Sequence, residues 1–265
     1  MQVIKSSGDF EKFDGKKIYH SIRDAGGSNK LARGAVKEIK KKFRAQTSTE
    51  EILNFLIKFL SREPGVSERY DLKRAIMSLG PSGFPFEKFF AQVLESSGYK
   101  TTIDNKLKGK KIFQEVDIVA EKEKKWMIEC KYHNESGTMT RLHVPLYTYA
   151  RFLDLKNYNF YAPWLVTNTK CSRDAVEYAG GVGLRITSWK YPKKDNLQSL
   201  IEMKKLYPIT ILKKISNDEL NKIYESEIVI AKDLLNFSED ELSKKTQIST
   251  KRIAKILEEV REVCG

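Results

Sequence analysis

The spacing of apolar residues divides the chain into three stretches. In residues 1 to about 80, the runs MQVIKS and FEKFD alternate at the period of a strand and turn through Gly8, and helical spacing follows. KKIYHSIRDAGG sets Ile18, Ile22 and Ala25 on one face and stops at Gly26 and Gly27, a natural helix end. A second helix is predicted over 30–43. STEEILNFLIKFLS opens with Ser48 and Glu51 at capping-box spacing and lines up Ile52, Phe55, Leu56 and Phe59. SERYDLKRAIMSLG predicts a fourth helix, ended by Gly80 and Pro81.

The punctuation GPSGFP at 80–85 marks a boundary. Beyond it the spacing predicts a helix over 85–97, strands within 99–132, a helix over 139–155, a strand over 160–167, a helix over 172–180 and a strand over 184–188. That order specifies a mixed α/β domain. YPKKDN at 191–196 has the polar, proline-containing composition of a linker, and short amphipathic helices separated by polar turns follow it. The expected fold class is therefore mixed α/β: a mainly helical domain over 1–80, a central α/β domain over 83–190 and a small helical module over 196–265. No internal repeat or low-complexity tract interrupts this plan.

Charge narrows the partners. With 48 Lys and Arg against 35 Asp and Glu, a formal charge of +13 favours a polyanion without separating DNA, RNA and membrane surface. No apolar run approaches the roughly eighteen residues of a spanning helix, and MQVIKSSGDF lacks the apolar core of a signal peptide, so a soluble, cytoplasmic protein without a membrane partner is expected. Cys130, Cys171 and Cys264 show no CxxC spacing, and His20, His133 and His143 form no HxxxH pair, which disfavours a disulfide framework, a zinc cluster and a zinc hydrolase.

EVDIVAEKEKKWMIECKYHN, residues 115–134, carries the candidate chemistry. Alternation points Val116, Ile118 and Ala120 one way and Asp117 the other; likewise Trp126, Ile128 and Cys130 oppose Glu129 and Lys131. A hairpin symmetric about Glu123 sets Asp117 opposite Glu129. Carboxylates so paired, with Cβ atoms about 4.5–5.5 Å apart, repel unless something cationic lies between them. Two arrangements meet that demand: Lys131 and water on an open sheet face, or a hard divalent cation held by oxygen ligands. In FPFEKFFAQVLESSGY, Glu87 sits at the edge of the stripe Phe86, Phe89, Phe90, Val93 and Leu94, where it either reaches the sheet or stays in water.

The ordered set GFPFEKFFAQVLESSGY, QEVDIVAE and WMIECKY resembles the Mrr-like restriction endonucleases of the PD-(D/E)XK nuclease superfamily. YAPWLVTNTKCSRDAVEYAGGVGLRITSW is similar to that family's closing strand, helix and strand. The resemblance implies that Asp117 and Glu129 are Mg2+ ligands (Mn2+ a substitute), with the backbone carbonyl of Cys130 a further oxygen. It implies that Lys131 orients or deprotonates the attacking water and that Glu87 supports the metal through water. The family commonly has proline before the aspartate; Val116 stands there in this chain.

VIKSSGDFEKFDGKKIYHSI, with TSTEEILNFLIKFL and YDLKRAI, resembles the ATP-cone, a nucleotide-binding regulatory domain. The resemblance implies a pocket for ATP or dATP lined by Lys5, Glu11, Asp14, Lys17, Ile18 and Thr49, with the KSSG turn presenting backbone N–H groups. Ser6 and Ser7 replace the family's arginine and aspartate, and no GxxxxGK[ST] loop occurs, so binding rather than an ATPase motor is expected. The last stretch is similar to helix-hairpin-helix modules, although TQIST lacks their glycines; there Ser249, Lys251 and Arg252 are placed to contact phosphate, and a protein-contact role fits as well.

Together these features lead to a metal-dependent DNA endonuclease under nucleotide control, acting on double-stranded DNA and associated with the nucleoid. One active site cuts one strand, so double-strand cleavage calls for a homodimer or successive nicks. A nucleotide-responsive DNA-binding regulator with an inactive nuclease fold, and a nuclease for RNA or branched DNA, are the competing functions.

Overall fold

The computed structural model describes residues 1–5, 8–43, 46–80 and 83–265. The chain forms two compact units, one combining Met1–Ala75 with Ile209–Gly265 and the other spanning Ile76–Pro208.

The first unit begins with β1 (Gln2–Ile4) and β2 (Phe10–Lys12), antiparallel to one another. α1 (Gly15–Asp24) starts at Asp14, whose carboxylate accepts the N–H groups of Lys16 and Lys17. α2 (Asn29–Lys42) is capped by Ser28, and β3 (Thr47–Ser48) pairs parallel with β1. α3 (Thr49–Leu60) carries the capping box of Ser48 and Glu51 that the spacing predicts. Ile22, Ala35, Ile39, Leu56 and Leu60 form its core.

The single fourth helix predicted from spacing is instead two, α4 (Val66–Tyr70) and α5 (Leu72–Met77). At the break, the Asp71 N–H donates to the carbonyls of Ser67 and Glu68 at 3.2 and 3.0 Å. Its carboxylate faces Lys213 Nζ at 3.9 Å, and the same ammonium donates to Ser67 Oγ at 2.8 Å. A cation from the far end of the chain thus fixes this corner, which local periodicity does not encode.

The second unit is built on α6 (Phe84–Glu95), β4 (Lys100–Lys108), β5 (Phe113–Glu121), β6 (Lys125–Lys131), β7 (Met139–Thr140), α7 (His143–Asp154), β8 (Ala162–Thr167), β9 (Lys170–Cys171), α8 (Arg173–Val182), β10 (Arg185–Thr187) and α9 (Leu197–Lys204). Its main sheet has the order β10-β8-β6-β5-β4; β4, β5 and β6 are antiparallel, whereas β6, β8 and β10 are parallel. Ile118, Ile128 and Trp164 are register neighbours, and Phe90 of α6 packs edge-on against Trp164 at 5.8 Å. Each of the buried Phe86, Phe89 and Phe90 contributes about 1.5–3 kcal/mol. On the other side Leu165, the register neighbour of Glu129, packs with Val144 of α7 and with Ala179 of α8. The stretch 191–196 is bound to the sheet end: Ser188 N–H donates to Tyr191 O at 2.6 Å, and Asn196 caps α9.

Returning to the first unit, α10 (Asn217–Glu225), α11 (Glu239–Thr246) and α12 (Thr250–Cys264) complete it. Gln247 takes the left-handed conformation, φ 55°, where helix-hairpin-helix turns use glycine. Arg252 does not present a free guanidinium to phosphate: it is bound to both carboxylate oxygens of Glu219 and to the carbonyl of Lys214. Arg69 donates to Ala25 O at 2.8 Å and to the α12 carbonyls of Glu262 and Val263 at 3.2 and 3.0 Å.

Hydrogen bonding from Arg252 is the main cause that holds Glu219 down to about 2, below the ordinary 4.5. A carboxylate depressed on folding stabilises above its unfolded pKa and loses that contribution as pH falls through the folded one. Arg252→Ala is therefore expected to cost about 1–2 kcal/mol at pH 7. In urea denaturation the gap from the wild type should narrow between the pH values of about 4.5 and 2 that bound this titration.

Candidate active site and nucleotide pocket

The β5–β6 ladder runs in the register expected from symmetry, from Glu121↔Lys125 to Ile118↔Ile128. At the next position the strands part. The N–H of Cys130 donates to Asp117 Oδ2 at 2.7 Å instead of to a backbone carbonyl. On the far side of β5 the register is interrupted at the same point. Asp104, between the pairs Ile103↔Ile118 and Asn105↔Val116, has φ 53°. A left-handed non-glycine costs about 1–2 kcal/mol. Asn105 supports it by donating to Thr102 O at 2.9 Å and Val116 O at 3.2 Å.

Glu129 lies on the α7 side of the sheet and is only 8% exposed; Val116, expected to share a face with Ile118, instead packs with Met127 and Leu155, so strict alternation does not hold through Asp117 where the strands part. Both oxygens of Glu129 are bonded from α7: Tyr147 Oη donates to Oε1 at 3.1 Å, and Arg151 donates to Oε2. Even so, burial and the neighbouring Asp117 hold Glu129 above the usual carboxylate range, and burial raises Asp117. Glu87, in the first turn of α6, is pushed up to about 7 by burial, with Asp117 and Glu129 adding to the effect. Lys131 acts in the opposite sense, favouring the charged forms of Asp117 and Glu129. Burial is thus the main cause that raises all three carboxyls. An open cavity of about 450 Å³, lined by Gln114, Tyr147, Ala150 and Arg151, adjoins the acids.

Spacing singles out Asp117, Glu129, Lys131 and Glu87, and in the folded chain these four are electrostatically coupled. Tyr147 and Arg151 escape it. Their signal is the separation of one helical turn, which places two donors on the same face of a helix after the E-x-K strand. His133 is tied into its loop, with Nε2 3.1 Å from Thr140 Oγ1 and its N–H on Asn168 Oδ1 at 2.9 Å. Among the described residues no group of three or more His, Cys, Asp or Glu side chains forms a ready metal cluster. Two buried carboxylates on neighbouring strands suit a hard cation that keeps water and phosphate oxygens in its shell; they do not form a closed protein cage.

In the first unit, Glu11, Asp14, Lys17, Ile18 and Thr49 line one cavity of about 240 Å³, with Tyr70 also in its wall. Val3, Ile52 and Leu56 give that cavity an apolar side. At its rim Glu11 is bound by Lys17 and by Lys5, the latter at 2.7 Å. These bonds hold the Glu11 carboxyl down to about 2. Burial pushes the Tyr70 phenol up to about 12. A wider cavity of about 690 Å³, with Lys16, Arg33 and Lys40, shares Glu11, Asp14 and Lys17 with it. Ser6 and Ser7 of the KSSG turn lie outside the described residues.

Comparison with known proteins places these features in families. Residues 1–76 match the ATP cone domain, 80–198 the Mrr-type restriction endonuclease domain and 207–264 the AF1548-like C-terminal domain. An uncharacterized protein of Archaeoglobus fulgidus is 39% identical over 176 residues, which make up 66% of this chain and 99% of that protein. The crystal structure of a protein of unknown function, AF1548, is 37% identical with a TM-score of 0.63, covering 69% of this chain and 99% of its own. No helix among the described residues is long and apolar enough to cross a membrane. The chain thus belongs to the family of this archaeal relative, with an Mrr-like restriction-endonuclease domain preceded by an ATP cone.

Proposed function

We propose that the chain is a magnesium-dependent endonuclease that hydrolyses phosphodiester bonds of double-stranded DNA, under the control of ATP or dATP bound by the cone. The observation that carries this reading is the buried pair Asp117 and Glu129 beside Lys131, with the Cys130 N–H on Asp117 and with Tyr147 and Arg151 on Glu129; burial is the main cause that raises both carboxyls. Asp117, Glu129 and the Cys130 carbonyl would hold Mg2+ or Mn2+, and Glu87 would support it through water. Bound there, the ion would supply polarisation of the phosphodiester and acidification of a water molecule. Lys131 orients that water and offsets charge on the phosphate. Tyr147 and Arg151 fix the rotamer of Glu129, so the acid is presented without searching for its geometry. A homodimer would let two such sites cut both strands.

On the nucleotide side, Lys5 and Lys17 are gathered at one rim by Glu11, where they can neutralise a polyphosphate, while Ile18 and the apolar wall face a base. Asp14 acts from behind, as the cap that starts α1 and so sets the direction of Lys17.

Three measurements test the reading. Asp117→Ala or Lys131→Ala is expected to abolish Mg2+-dependent nicking of plasmid DNA with unchanged circular dichroism; full cleavage by both variants would remove the mechanism. Arg151→Met is expected to cost about 1–3 kcal/mol in urea at pH 7, because it leaves Glu129 buried without its cation. Adding Glu129→Gln should recover most of that loss. Lys17→Ala should weaken ATP binding by calorimetry about tenfold, or about 1.4 kcal/mol, and parallel cleavage assays with and without ATP or dATP would give the sign of the control.

A further inference from the structure

One end of the β4–β5 hairpin is rigid, apolar and cationic at once. Its eight register pairs run from Lys100↔Glu121 to Lys108↔Phe113, and the turn beyond them is pinned by the end of α7 and the residues that follow it. Gly109 N–H donates to Ile112 O at 2.8 Å, and Lys108 N–H to Tyr158 Oη at 2.9 Å. Asp154, the last residue of α7, accepts from Lys110 N–H at 3.1 Å and from Gln114 Nε2 at 2.8 Å. A Cβ at position 109 would lie 1.9 Å from Asp154 Oδ2, so only glycine permits this grip.

What the pinned turn presents is Ile112 and Phe113, 63% and 67% exposed. Leaving two such side chains in water forgoes the stabilisation that their burial would give. Single exposed apolar residues are ordinary, but an adjacent pair held out on a fixed turn is not explained by the packing of this fold. Between residues 106 and 113 the chain has four lysines and no acid, and Lys106, Lys108, Lys110 and Lys111 are all exposed. Like charge opposes pairing of this tip with the same tip of a second copy. Apolar side chains flanked by lysines instead match duplex DNA, whose base steps accept wedges and whose phosphates accept ammonium groups.

The tip is also well placed. Gln114, the next residue along β5, lines the cavity that Arg151 and Tyr147 share. Asp117 lies four residues beyond Phe113 on the same strand, roughly 13 Å at about 3.3 Å per residue. That distance is roughly four base steps at about 3.4 Å each.

We propose that the β4–β5 turn is a DNA wedge. Ile112 and Phe113 enter the base stack of a duplex, and Lys106, Lys108, Lys110 and Lys111 hold the flanking phosphates, so that the helix is distorted beside the carboxylate site. The proposal rests on the nuclease reading of that site and adds how its substrate is held.

The test uses the full chain carrying Asp117→Asn, mixed in Ca2+ with duplexes that bear 2-aminopurine at successive positions. Binding is expected to raise the fluorescence of at least one probe position, the mark of unstacking. Adding Ile112→Ser with Phe113→Ser should return the signal to that of free duplex, with an unchanged melting temperature because both side chains are exposed. Lys110→Ala with Lys111→Ala should reduce the slope of log affinity against log salt by about two. An unaltered signal and affinity in the serine variant would overturn the wedge. So would a change in sedimentation with an unaltered DNA response, which would assign the tip to a second copy. If wild type cleaves DNA and Asp117→Asn does not, either failure concerns the wedge alone; if wild type neither binds nor cleaves DNA, the nuclease reading falls with it.

Discussion

Two carboxylates on a covered sheet face are the constraint around which the second unit is arranged. Asp117 and Glu129 stand just beyond the last paired position of the β5–β6 ladder, where burial disfavours the ionised form of both. The chain answers from three directions. A ladder hydrogen bond is given up so that the Cys130 N–H serves Asp117, α7 brings Tyr147 and Arg151 to Glu129, and β6 ends in Lys131. The parting of the strands and the left-handed Asp104 are then parts of one local compromise: backbone regularity is relaxed where carboxylates need donors.

The first unit handles charge in another way. Glu11 faces solvent, so its bonds to Lys5 and Lys17 fix geometry more than they add stability, and what they accomplish is to bring two ammonium groups together on one rim. Behind that rim, three successive residues point to three neighbours: Arg69 to the carbonyls at the end of α12, Tyr70 to the cavity wall, and Asp71 to Lys213. The wall of the nucleotide cavity is therefore continuous with contacts to the C-terminal helices.

Much of this was legible in the sequence because it is local. The alternation of β6 around Glu129 needs only period two, the Ser48 and Glu51 box is a four-residue signal, and the stripe of α6 needs only period 3.6. What escaped is what depends on distant partners. The division of the fourth helix follows from Lys213, the commitment of Arg252 from Glu219, and the hold on Glu129 from a helix separated from β6 by a loop. Asp104 was invisible for a further reason: aspartate tolerates positive φ well enough to need no glycine as a marker.

The union of the two chain ends in a single unit has a topological consequence. Thr210 Oγ1 donates to the carbonyl of Ala75 at 2.6 Å, so the points where the chain leaves this unit and re-enters it touch. In polymer terms the whole sheet domain is one very long loop between adjacent residues, whose closure from a disordered chain would cost on the order of 4 kcal/mol. If the sheet domain folds first, a floppy tether becomes a compact bead and much of that entropy is already spent. The bonds of Arg69 and Asp71 to residues 213–263 can therefore form only after the intervening sheet domain has been made.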